Sequence, residues 1–447
     1  MDFAGLIGSF GGTVWTILTF VVAIVIIVTV HEFGHYIIGR WSGIHAEVFS
    51  VGFGQVIYSR TDRHGTRWQI AAIPLGGYVR FMGDADAASV RPDPNALQGL
   101  TEREKRHTMS GAPIWARSAT VIAGPAANFL LAFVLFLSVI LWKGVPVDLP
   151  LIGALRTVPF ATPSLMVGDL ITAIDGQATP NIASFFTVAD TLGDKPSVSY
   201  QITRAGKSVA VQGPNPLPPF AESVQPQSAA MDAGIVAGDV VLKADGKDIA
   251  SFSQLPDIIE ATGGKPVVLT LWRAGKTFDV TLTPRRKDYP TADGGFDTRW
   301  MVGVAGGVLF QPVSRQPAFL EASSMAFNQG WYLVKMNATA MGYMIAGKIS
   351  SCGMSGPIGM AKVVGAAARS GWETFVQTLA LISLSVGILN LIPIPVLDGG
   401  HLVFHLWEAA TGKPPSARAL QVLMTVGVAL LGALMVFALT NDLFRCT

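Results

Sequence analysis

His31, Glu32 and His35 stand as HEFGH inside an apolar stretch that begins near Val14 and reads VWTILTFVVAIVIIVTVHEFGHYII. On a helix, residues i and i+4 share a face, so the two imidazoles can reach one metal ion. Glu32, next in line, is placed to take a proton from water activated by that metal. HExxH is the pattern of zinc hydrolases in which two His ligands and a Glu base act on metal-bound water. The plainer reading is a polar cluster at a membrane interface with no metal. The setting weighs against it, because a charge at mid-bilayer costs about 2.5–3.5 kcal/mol on insertion scales and such groups face a polar interior or a metal.

Half of the 447 residues are hydrophobic and only 14% are charged, with a mean hydropathy of +0.45. That balance fits a membrane protein better than a soluble enzyme. A net charge of +2, without a basic cluster interleaved with aromatics, gives nucleic acid no footing. Cys352 and Cys446 form no CxxC pair and define neither a disulfide framework nor a cysteine zinc site. The first apolar segment lacks a basic flank and carries HExxH, so it does not read as a cleaved signal peptide.

The elements that must position HExxH follow from length. Four stretches can span about 30 Å of hydrocarbon: Val14–Ile38, Ile114–Trp142, Trp372–Ile392 and Ala419–Leu439. A fifth, Ala318–Ile345, carries Glu321, Asn328, Gln329, Lys335 and Asn337 and reads as an amphipathic interfacial helix. Nine basic residues lie between spans one and two (Arg40, Arg60, Arg63, Arg67, Arg80, Arg91, Arg103, Lys105, Arg106) and none before span one. The positive-inside rule therefore makes that loop cytoplasmic and puts both termini outside.

Spans one and three then run in the same direction and end at the same leaflet. HExxH closes span one, and NLIPIPVLDGGH, Asn390 to His401, closes span three. Two His ligands leave a catalytic zinc short of a third protein ligand, commonly a carboxylate, and Asp398 arrives on the correct side. Pro393 and Pro395 break the helix and leave carbonyls unpaired, tolerable where backbone lines a polar cavity. His401 and His405 are also i, i+4, but nothing in the sequence completes a second metal set around them.

HEFGH in the first span, Gly124–Asn128 (GPAAN) in the second and NLIPIPVLDGGH in the third together resemble the site-2 protease family. The chain is similar in particular to the bacterial RseP-type branch, regulated intramembrane zinc metalloproteases with tandem periplasmic PDZ domains, and the resemblance covers essentially the whole chain. The resemblance implies Zn²⁺ held by His31, His35 and Asp398, Glu32 as catalytic base, and Asn390 holding the substrate backbone or the developing oxyanion. It further implies an inner-membrane location and single-span membrane substrates, such as pre-trimmed anti-sigma factors or remnant signal peptides.

The middle of the chain repeats itself. Val167–Gly176 (VGDLITAIDG) matches Ala237–Gly246 (AGDVVLKADG), and Arg204-Ala-Gly-Lys207 returns as Arg273-Ala-Gly-Lys276. A period near 70 residues with strand-like runs and Asp-Gly turns predicts two small β-rich modules. They resemble PDZ domains, which take a peptide as an added strand or by its carboxylate. Modules that only occlude the site are an equal alternative. The expected architecture is a polytopic α-helical membrane protein of four spans with these modules between spans two and three. Its parts are residues 1–142 with spans one and two, modules at 143–217 and 218–286, a linker with an amphipathic helix at 287–369, and spans three and four at 370–447.

Two strand candidates, Ala46–Tyr58 and Arg67–Phe81, flank a polar turn at Thr61–Gly65 in the cytoplasmic loop. Gly52 and Gly54 permit close backbone approach, and a sheet edge there could hold a substrate segment extended beside the metal. A transmembrane helix keeps its carbonyls in intrahelical bonds and must unwind before hydrolysis. An ordinary cytoplasmic hairpin fits the same pattern. Three other classes stay open: a membrane-anchored zinc peptidase acting on soluble peptides, a transporter, and a non-catalytic PDZ scaffold.

Overall fold

A computed structural model describes residues 3–84, 101–159, 164–291, 295–350 and 355–445. The chain forms two compact units, residues 1–139 with 323–338 and 354–447, and residues 140–322 with 339–353. The first unit opens with α1 (Phe3–Trp41) and the strands β1 (Ala46–Thr61) and β2 (Arg67–Phe81). β1 runs beyond the expected Tyr58. The two strands pair from Ala46 opposite Phe81 to Val51 opposite Gly77, and again from Val56 opposite Ala71 to Thr61 opposite Arg67. The chain bends between these registers at Gly52 and Gly54, where φ is +91° and +84°. A Cβ at Gly52 would lie 2.8 Å from the Ala71 carbonyl oxygen, so only glycine fits the bend. Tyr36 of α1 packs with Phe49 and Trp68, which fixes the sheet against the end of the helix that carries HExxH.

The short helix α2 (Glu102–Lys105) leads into α3 (Ile114–Lys143), which is continuous through Pro125. α1 and α3 approach closely because small residues face each other. A Cβ at Gly34 would lie 2.2 Å from the Ala123 carbonyl oxygen.

The second unit begins with β3 (Val145–Pro146) and β4 (Ile152–Leu155). The first module continues with β5 (Leu170–Ile174), β6 (Gln177–Ala178), α4 (Ile182–Thr191), β7 (Ser197–Arg204) and β8 (Lys207–Pro214), in sheet order β6-β5-β7-β8. The second module repeats it with β9 (Ala221–Val224), α5 (Ala229–Asp232), β10 (Val240–Ala244), β11 (Lys247–Asp248), α6 (Gln254–Ala261), β12 (Val267–Arg273) and β13 (Lys276–Leu282), in order β11-β10-β12-β13. The sequence repeat is a structural one. Asp175-Gly176 and Ala205-Gly206, like Asp245-Gly246 and Ala274-Gly275, have positive φ at both residues, as two-residue type I′ hairpins require. Arg204 forks onto the buried Asp169 at 2.8 and 2.7 Å, and Arg273 onto Asp239 at 2.6 Å twice.

Residues 287–369, expected to be a linker with one helix, first form strands: β14 (Arg285–Pro290), β15 (Phe296–Met301), β16 (Val304–Gly306), β17 (Phe310–Pro312) and β18 (Ser314–Arg315). Each of the last three returns to an earlier strand, β16 to β9, β17 to β4 and β18 to β3. Leu309 and Phe310 are thereby buried in the first module's core with Ile152, Phe185 and Tyr200. The second module is nested in sequence inside the first, since β17 returns to β4 after β13 has closed the second module's sheet. α7 (Phe319–Ile345) follows.

The first unit resumes with α8 (Pro357–Arg369), α9 (Trp372–Asn390), α10 (Asp398–Thr411), α11 (Ala417–Thr440) and a closing π-helical turn, Asn441–Arg445. α1, α8 and α9 share a core of Ala23, Ile27, Val364 and Leu379. Among the described residues four helical stretches are long and apolar enough to cross a membrane: Gly12–Trp41, Ile114–Lys143, Trp372–Asn390 and Ala417–Phe444. They coincide with the four expected spans, and α7 is not among them. Cys352 and Cys446 fall outside the described residues.

Candidate metal centre

One turn of α1 separates His31 from His35, and their rings stand edge to face with centroids 4.7 Å apart. Their Nε2 atoms are 3.1 Å apart. Asp398, the first residue of α10, brings Oδ2 to 3.2 Å from His31 Nε2 and Oδ1 to 3.5 Å from His35 Nε2. Among the described residues these three form the one group of His, Cys, Asp or Glu whose ligand atoms, within 4.8 Å of one another, could share a metal ion.

The donor set fits zinc. Ligands at about 2.0–2.1 Å from a tetrahedral ion are about 3.3 Å apart, close to the spacings observed. Oδ2 of Asp398 is buried and has no aligned hydrogen-bond donor among the described residues. Close as His31 Nε2 is, the contact suits two ligands turned to a common point better than a hydrogen bond between them. His35 Nδ1 donates to the Thr120 carbonyl at 2.8 Å, which leaves its Nε2 with the lone pair.

The sequence around each ligand makes the close approach possible. A Cβ at Gly124 would lie 2.2 Å from His35 Nε2 and 2.9 Å from His31 Cε1, so α3 can flank both rings only with glycine there. At the third ligand, Cβ atoms on Gly399 or Gly400 would collide with the carbonyl oxygens of Leu391, Ile392 and Ile394. The Asp-Gly-Gly run thus lets α10 start tightly against the proline-broken segment after α9.

Glu32 accepts a hydrogen bond from the Val79 N–H at 3.1 Å, which ties the carboxylate to the edge of β2. Asn390 is the last residue of α9 and half-buried. Among the described residues its side chain makes no hydrogen bond to the cluster. Gly52 and Gly54 lie in the bend of β1. His401 and His405 assemble no second metal set among the described residues. His405 Nδ1 lies 3.2 Å from Ser118 Oγ, and one turn on Glu408 takes a bidentate pair from Arg117 at 3.0 and 2.8 Å. That face of α10 is spent on holding α3. His45 and His64 stay with the sheet and its turn. Thr120, Gly124 and Asn128 lie outside both ligand motifs, and their spacing of four places them on one face of α3 beside the two imidazoles.

Two imidazoles, a carboxylate and an adjacent glutamate in HExxH order define the chemistry of a metallopeptidase. The chain belongs to peptidase family M50, whose profile matches residues 19–434. A Rhizobium meliloti protein with the provisional name zinc metalloprotease is 34% identical over 434 residues, covering 96% of either chain. The regulator of sigma-E protease RseP of Escherichia coli is 33% identical over 463 aligned residues, 96% of this chain and 99% of that one. Its Salmonella typhimurium namesake is 32% identical over 462, with the same coverage. A PDZ domain of an SdrC-like protein from Listeria monocytogenes aligns with 20% of this chain and 84% of its own, at 19% identity and a TM-score of 0.16. So low a score carries no argument, and the PDZ reading rests on the chain's own repeat.

Proposed function

We propose that this protein is an intramembrane zinc metalloendopeptidase that cuts the transmembrane segments of single-span membrane proteins. The observation that carries the reading is the convergence of His31, His35 and Asp398 from the ends of helices that are, or directly follow, stretches apolar enough to span a bilayer. Family M50 membership and full-length kinship with RseP proteins support it. By that kinship the substrates are membrane-tethered anti-sigma factors already trimmed outside, or remnant signal peptides, in a bacterial inner membrane.

Zinc on His31, His35 and Asp398 would supply Lewis acidity and a water acidified toward neutrality. Glu32 takes the proton of the attacking water and passes it to the leaving amine. Asn390 is proposed to donate to the substrate backbone or to the developing oxyanion. The scissile segment must first leave its helix. The bend at Gly52 and Gly54 belongs to a sheet whose exposed side chains include Val56, Ile57 (71% exposed) and Tyr58, a surface suited to apolar substrate or lipid. The two β-rich modules, read as PDZ-like, lie outside and exclude bulky ectodomains, and either could hold a peptide.

The test compares wild type with Glu32→Gln in lipid, on single-span substrates and on soluble peptides. Glu32→Gln is expected to bind zinc normally and to cleave about 10²–10⁴-fold more slowly. Zinc-loaded wild type that leaves every single-span substrate intact would overturn the proposal, and a preference for soluble peptides would move the reading to a membrane-anchored peptidase.

A further inference from the structure

Behind His31, on its Nδ1 side, stands a polar neighbour. The side-chain amide of Asn128, wholly buried on α3, stands 3.2 Å from His31 Nδ1. With the amide nitrogen toward the ring, Asn128 Oδ1 is buried and has no partner among the described residues. Amide oxygen and nitrogen occupy the same outline, and which one faces the ring follows from the hydrogen bonds it must make. If the nitrogen faces inward, Nδ1 accepts and a neutral imidazole carries its proton on Nε2, the atom aimed at Asp398. If the oxygen faces inward, Nδ1–H donates to it and Nε2 keeps a lone pair. The number of hydrogen bonds is the same either way. What changes is which ring nitrogen can ligate.

We propose that Asn128 is a positioning residue for the metal centre, turning Oδ1 to His31 Nδ1–H so that Nε2 is the ligand. His35 is set in the same sense by the Thr120 carbonyl, and Gly124 between them leaves space for both rings. One face of α3, at residues 120, 124 and 128, therefore orients both imidazoles. Asn128 is itself braced from α9. Ser383 Oγ donates to its backbone carbonyl at 2.9 Å, and Gly387 brings that helix close, where a Cβ would lie 3.4 Å from Asn128 Cβ. The brace fixes the amide's position and leaves its rotation to the ring.

The inference rests on His31 as a ligand, and its test separates the two. Full-length wild type, Asn128→Asp, Asn128→Leu and His31→Ala are purified in one detergent. Zinc affinity is read by chelator competition, Co²⁺ coordination by visible absorption, and folding by thermal unfolding. Asn128→Leu, close in volume but with no acceptor, is expected to bind zinc about 10–100-fold more weakly. Asn128→Asp, which can only accept, is expected to keep zinc affinity and the Co²⁺ band shape close to wild type. A folded Asn128→Leu with wild-type zinc affinity overturns the proposal. So does a folded Asn128→Asp that has lost zinc, which decides the matter even if Asn128→Leu does not fold. If His31→Ala binds zinc as wild type does, the ligand assignment itself has failed; if it loses zinc while Asn128→Leu does not, only the role of Asn128 has.

Discussion

At the scale of single residues, Gly124 is the position where one methyl group meets both imidazoles. Its Cβ would fall 2.2 Å from His35 Nε2, the atom proposed to ligate, and 2.9 Å from His31 Cε1. Gly124→Ala is therefore expected to lower zinc affinity at least about 10-fold, read as metal content after dialysis against a chelator. Gly432→Ala on α11, where a Cβ meets nothing within 4 Å, should behave as wild type in the same assay. His31, Glu32 and His35 were legible because a five-residue pattern on one helix carries its own geometry. Asp398 was legible by a different route, since the count of spans brought it to the same side. Thr120 was not, because it acts through a backbone carbonyl that any residue has. Val79 stayed hidden for the same reason, acting through an N–H that no side chain announces.

At the scale of elements, the repeated modules show what a sequence period can and cannot tell. The matching Gly-Asp and Asp-Gly pairs and the two Arg-Ala-Gly-Lys runs made the repeat visible, and in the structure they form the paired turns and the Asp–Arg forks. The return of β16 and β17 to β9 and β4 did not announce itself, because pairing between strands about 80 and about 155 residues apart leaves no local pattern. The fork in the first module has a pH signature. The Arg204 guanidinium, with help from the Met166 N–H, holds the Asp169 carboxyl below its ordinary value near 3.8. In the unfolded chain that carboxyl takes a proton at the ordinary value. Its stabilisation is thus fully present above about pH 4 and lost as pH falls further, through the lower folded value. Asp169→Asn should destabilise the module by about 2–3 kcal/mol at neutral pH, less than for a fully buried pair because Arg204 is partly exposed. It should also blunt the module's loss of stability below about pH 4. Hydrogen exchange of β5 and β7 in the full-length protein reads both effects, and equal acid sensitivity in the two proteins would refute the assignment.

At the scale of the whole molecule, every residue of the metal centre belongs to one unit and both β-rich modules to the other. The modules enter the chain at β3 and leave it at β18, and those two strands pair, with Val145 opposite Arg315 and Pro146 opposite Ser314. Paired antiparallel residues lie about 5 Å apart, so a turn of a few residues can replace everything between them. Residues 147–313 are therefore expected to be removable without opening the chain at its point of insertion. His31, His35, Asp398 and Glu32, with Thr120, Gly124, Asn128 and Val79 around them, all remain. The excised protein should bind zinc with wild-type affinity and cut a pre-trimmed single-span substrate at a comparable rate. If the modules act as a filter, it should also cut the same substrate with its ectodomain intact, which wild type leaves alone. Substrate cleavage in lipid and zinc competition, run side by side, separate the possibilities. Lost zinc would mean that the second unit helps to build the centre. Retained zinc with the intact ectodomain still refused would remove the filter from the proposed function and leave the modules as binding domains.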